Sequence, residues 1–148
     1  MIYTQRHQVV DELKRPSWDQ QKVAAMVADC KAGEIARAEE NEDVFDEQAF
    51  NQWVAHTLFA QCNQDVGQYI YSRYDAGTQA SFLSLHADPA TPQAGKTSIE
   101  SVWAWIKSVM THYYGVRDQI LAGNVVKWNF SQFDATDPDV KLRDFMGA

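Results

Sequence analysis

The sequence predicts an all-α fold: a helical bundle organised on two long antiparallel helices, at about residues 46–74 and 98–122, with shorter N- and C-terminal helices. Three observations lead there. Apolar residues recur at steps of three and four over both stretches, the spacing that places side chains on one helix face. Residue types suited to capping stand where the stretches begin. Apart from the ambiguous segments 82–85 and 125–130, nothing alternates in the manner of a half-buried strand.

Taken in order, residues 4–15 read as a short helix with Val9, Val10 and Leu13 on one side. Pro16 interrupts it, and Ser17 with Gln20 forms a capping-box pattern for a second helix. That helix carries Trp18, Val23, Met26, Val27 and Cys30 and is expected to stop at Gly33. The polar run EIARAEENED follows, expected as a solvated helical turn or linker.

The first long helix has Phe50, Trp53, Val54, Leu58, Cys62, Val66, Tyr69, Ile70 and Tyr74 at helical spacing, with Asp43 or Asp46 as its cap. Gly67 weakens its interior, which points to close approach by another helix. A short helix is expected at 77–87, then a loop with two prolines and a glycine. The second long helix opens on a capping box, Thr97 with Glu100, and ends at Gly123 and Asn124. Its apolar face has Ile99, Val102, Trp103, Ile106, Val109, Met110, Tyr113, Val116, Ile120 and Leu121, with Trp103 in the core. Residues 125–130 read as an extended segment, and Asp137-Pro138 as the start of a last helix.

A chain of 148 residues with 45% hydrophobic and 12% aromatic content is one domain's worth of globular protein. The expectation is a single helical domain over 1–148, with residues 1–45 as its most independent segment. No apolar run approaches the roughly 20 residues that span a bilayer, and the first residues have no leader-type apolar core, so neither a membrane partner nor export is expected. The net charge is −7, and residues 32–75 alone carry nine acids against Arg37 and Arg73. That balance argues against nucleic acid and anionic membranes as partners. Cys30 and Cys62 have no ligand-type neighbours and are expected as reduced, buried thiols, with a bridge between them not excluded.

Sites of chemistry are hard to find in the chain. The run ATPQAGKT at 90–97 satisfies a relaxed phosphate-loop pattern, but no hydrophobic strand feeds it and no later strand ends in a suitable aspartate. A helix cap is the better reading. Glu39, Asn41 and Asp43 alternate as calcium ligands do, yet Val44 and Phe50 fall where glycine and glutamate belong. A solvated acidic face over 34–47 is the better reading there too. His7, His56, His86 and His112 lack metal-ligand spacing, and no nucleophile motif places a serine or cysteine. No catalytic residue, cofactor or metal is therefore expected. Trp105 and Tyr114 fall off the main apolar face. Together with Trp128 they are the candidate partner contacts, unless they form a second layer of the core.

Three phrases within 69–138 carry a resemblance: YIYSRYDAGTQASFLSLHADP, VWAWIKSVMTHYYGVRDQI and WNFSQFDATDPDV. Together they are similar to small proteins encoded among bacteriophage and prophage tail genes. The resemblance implies a non-enzymatic, tail-associated structural or assembly role. Its implied partners are other tail proteins or a second copy, in the host cytoplasm during assembly and in the virion. It carries over no functional residue. Two other readings stand beside it: a small cytosolic helical adaptor or regulator of the bacterial host, acting through the acidic segment, and, last, a nucleotide-binding enzyme using 90–97.

Overall fold

The computed structural model describes residues 2–145, with their side chains from residue 5 onward. Every regular element in it is helical. Five α-helices follow one another: α1 (Ile2–Leu13), α2 (Gln20–Glu40), α3 (Glu47–Arg73), α4 (Ala76–Ala87) and α5 (Gln93–Leu121). Two 3-10 stretches, Phe130–Thr136 and Leu142–Phe145, complete the described chain. The all-α class is as the sequence predicts, and α3 and α5 are its two long helices.

The described residues fall into two compact units, each assembled from separated segments. The first comprises 1–63 and 115–128; the second comprises 64–114 and 129–148. Residues 1–45 thus share their unit with the first part of α3 and the end of α5.

In the first unit α1 packs closely on α2. The cap of α2 is Asp19 rather than Ser17: its Oδ1 accepts from Gln21 N at 2.7 Å and Lys22 N at 3.1 Å. The turn after α1 runs further than Pro16 alone implies, because Trp18 N donates to Arg15 O. Trp18 and Val23, both buried, then fall at the spacing of a hydrophobic staple. Helix α2 also continues through Gly33. A Cβ there would come within 2.5 Å of Gln5 Oε1, so the glycine serves the crossing of α1 and does not end the helix. The true end is at Glu40, where Asp43 N donates to Ala38 O and Glu42 N to Glu39 O. This is the double bond of a Schellman motif, and it puts Glu42 at φ 52, where glycine is preferred. Glu42→Gly is expected to raise stability by about 1 kcal/mol, read as a higher urea midpoint.

Asp46 caps α3, its Oδ1 accepting from Ala49 N at 3.0 Å. The end of α5 follows expectation: Gly123, at φ 98, donates to Ile120 O while Asn124 N reaches Gln119 O. The next segment lies against the α1–α2 turn. Lys127 N donates to Gln20 Oε1 at 2.8 Å, and Trp128 meets Trp18 edge-on with centroids 5.2 Å apart.

In the second unit three expectations are corrected. Helix α5 begins at Gln93, one turn before Thr97, because Pro92 O already accepts from Lys96 N. Asp137-Pro138 does not start a helix; Asp137 closes the 3-10 stretch Phe130–Thr136, and its carboxylate is engaged elsewhere. At Gly67 an added Cβ would meet nothing within 4 Å, so no close helix approach explains the glycine. Gly67→Ala is expected to stabilise the protein by about 0.5–1 kcal/mol in thermal or urea unfolding.

Candidate functional site

The densest polar constellation lies in the second unit, where the end of α3 meets the segment after α5. Tyr69 and Arg73 stand four residues apart on one face of α3, Tyr74 follows just past its last residue, and between them all three bond the same two aspartates. Arg73 forks between two carboxylates, Nη1 to Asp137 Oδ2 and Nη2 to Asp134 Oδ1, both at 2.8 Å. Tyr69 donates its hydroxyl proton to Asp134 Oδ1 at 2.6 Å, and Tyr74 donates to Asp137 Oδ1. The backbone joins in: Asp139 N donates to Asp137 Oδ1 at 2.9 Å, and Val140 N to Tyr74 Oη at 3.3 Å.

Aromatic rings back this clasp. Trp105 lies against Tyr69 and Tyr74, with centroids 5.8 and 5.7 Å away, and its Nε1 donates to Phe133 O at 2.9 Å. Phe130 stacks on Tyr69. Electrostatics follow from this packing. Burial is the largest influence on Asp137 and would raise its pKa. The bonds from Tyr74, Asp139 and Arg73 outweigh it and hold the carboxyl below its ordinary value. Burial, then the neighbouring carboxylates, pushes the Tyr69 and Tyr74 hydroxyls well above their usual range. At neutral pH the carboxylates are acceptors and the tyrosines donors, and each is engaged by the others. The arrangement ties a chain segment down.

Beside the clasp is an open groove of about 720 Å³, also within the second unit. Leu85, Pro92, Val140 and Phe145 give it apolar surface; Thr91 and Ser98 contribute hydroxyls; Asp88, Asp139 and Asp144 bring carboxylates. No Lys, Arg or His lines it. Phe145 is seated edge-on to the buried Phe82 at 6.0 Å. The seat depends on Gly95, whose added Cβ would come within 2.9 Å of Phe145 Cε1.

The first unit holds a smaller, half-buried charge pair. Arg6 binds Glu34 through two bonds of 2.7 and 2.6 Å while its guanidinium lies 4.7 Å above the Trp53 ring centroid. Glu34 is buried and so departs from the solvated face expected for 34–47; the Arg6 bond holds its pKa down. Cys30 donates to it at 3.4 Å, and burial, with that carboxylate, pushes the thiol up to about 11. Cys30 and Cys62 are both buried thiols.

The candidate partner contacts separate. Trp105 and Trp128 are each only 4% exposed and belong to the core, a correction that follows from their ring contacts with Tyr69, Tyr74 and Trp18. Tyr114 is 45% exposed, its ring against Tyr113. Residues 90–92 lie between α4 and α5, residues 93–97 already form the first turn of α5, and no strand precedes them among the described residues. Among the described residues no three His, Cys, Asp or Glu side chains converge as metal ligands do. No described helix is long and apolar enough to cross a membrane.

Neither the clasp nor the groove was visible as a motif. Their parts are about 50 to 70 positions apart, and no local spacing rule joins Arg73 to Asp137 or Gly95 to Phe145. No family model, no curated protein and no solved structure matches the chain.

Proposed function

We propose that the protein is a non-enzymatic, tail-associated helical protein of a bacteriophage or prophage, acting in tail structure or assembly through contacts with other tail proteins or with a second copy. One observation supports the reading above others. The phrases that resemble tail-gene products supply the clasp and its backing: Tyr69, Arg73 and Tyr74 from the first, Trp105 from the second, Asp134 and Asp137 from the third. Residues that carry the resemblance but lie far apart in the sequence thus meet in one side-chain cluster.

In this reading the protein works in the host cytoplasm during assembly and is carried into the virion. The test is to express it alongside the genes that flank it and to purify assembled tails. Co-purification with a tail component, or self-association in light scattering, is the expected result. A strictly monomeric species that no tail component retains would sink the proposal. The adaptor reading keeps one observation of its own: Val44, 87% exposed, projects among Glu40, Glu42, Asp43 and Asp46. Flanking host genes in place of tail genes would favour it.

A further inference from the structure

We infer that the groove between α4, the start of α5 and residues 138–145 is a docking site for an extended, lysine- or arginine-bearing segment of a partner protein. The inference deepens the proposed function, on whose protein-contact mode it rests, by naming the surface and the chemistry of what it takes. Three features carry it.

The first is shape. The groove shares Leu85 and Phe145 with a shallower depression of about 490 Å³ lined by Ala80, Ser81, Ser84 and Leu142. The concave surface therefore continues past the Phe145 ring, which suits a length of chain better than a compact ligand.

The second is charge. The second unit holds eight acids and five bases; three of the acids line the groove and none of the bases does. Asp139 is already paired with Lys141 at 2.8 Å. Asp88 and Asp144 each accept a backbone N–H through one oxygen, from Ala90 and Lys141, and both residues are exposed. Acids of this kind attract a cation by screened Coulomb forces and select against an acidic segment.

The third is the combination of surfaces. Leu85, Val140 and Phe145 lie alongside those carboxylates. A lysine or arginine matches both at once, its methylene stem on the apolar wall and its charged head toward the acids. The start of α5 also meets the groove, and its partial positive charge disfavours a cation there. This places the charged head at Asp88 and Asp144 and leaves the stem and backbone near Gly95.

The probes are two blocked nonapeptides, three repeats of Ser-Lys-Leu and three of Ser-Glu-Leu, titrated into the intact protein. Binding is followed by fluorescence anisotropy and by amide chemical shifts. The lysine peptide is expected to bind saturably at low salt, shifting Thr91, Gly95, Ser98 and Asp144, while the glutamate peptide does not bind. The double variant Asp88→Asn, Asp144→Asn should weaken binding about tenfold or more. Ala94→Trp, at an exposed groove position, should block it with every acid in place.

Equal binding of both peptides, shifts centred on residues 39–47, or indifference to the variants would overturn the proposal. So would the absence of saturable binding. Failure here and failure of the tail reading are separable. Loss of peptide binding with retained tail co-purification removes the groove alone; a peptide-binding protein that no tail component retains removes the tail assignment alone.

Discussion

Asp137→Ala is expected to destabilise the protein by about 3 kcal/mol, measured as a fall in urea-unfolding free energy. The side chain is only 4% exposed and answers to three donors at once: Arg73, the Tyr74 hydroxyl and the Asp139 amide. Removing it leaves a tyrosine hydroxyl without its acceptor and halves the anchoring of Arg73, which keeps Asp134. Tyr74→Phe takes away the bond to Asp137 and the longer one from Val140 N but leaves Asp137 with Arg73 and Asp139, and should cost less, about 1–2 kcal/mol. The loss should also depend on pH. Asp137 has a folded pKa below its ordinary 3.8, so the unfolded chain binds the proton more readily. The stability it contributes is fully present above that ordinary value and is lost as pH falls through the folded one. Wild type and Asp137→Ala should therefore converge on acidification toward and below pH 3.8. A gap that stays constant would show that the carboxylate does not carry the effect.

Trp105→Ala should cost more, about 3–5 kcal/mol, through lost ring contacts with Tyr69 and Tyr74 and the loss of its bond to the Phe133 carbonyl, which keeps Thr136 Oγ1 as a donor. Trp103→Ala should cost only about 1–2 kcal/mol, because that ring is half-buried and rests on His86. This reverses the order read from the sequence. The reason is rotational. At about 100° per residue, Trp105 lies roughly 50° from the fully buried line through Val102, Val109 and Ile120, whereas Trp103 lies roughly 110° away. Both are near enough to the apolar arc for the pattern to admit either, and an equal loss in the two variants would refute the assignment. Thermal unfolding of the pair decides it.

Local chemistry made much of the secondary structure legible. The Gly123 stop, the Asp46 start and the run of buried residues along α3 all follow from propensity and period, which depend only on near neighbours in the chain. At two places where the reading slipped, a long-range contact had taken over a local signal. Gly33 looked like a helix stop and is a crossing point for Gln5. Glu34 belonged to an acidic, solvated run and is instead buried under Arg6.

Asp137-Pro138 shows the division most clearly. As a dipeptide it has the residues of a helix start, and nothing nearby argues otherwise. Its carboxylate is claimed by Arg73 and Tyr74, more than sixty positions earlier, and although it also accepts from the Asp139 amide, Asp139 turns to φ 52 and no helix follows. The sequence by itself determined that the chain is helical, where most of its helices lie and which sides of them are apolar. Tertiary structure alone decided that Trp105 is core, that Tyr69, Arg73, Asp134 and Asp137 form one clasp, and that three acids share a groove with Phe145. Those outcomes rest on which distant side chains meet, and the periodicity of a helix fixes only its own face.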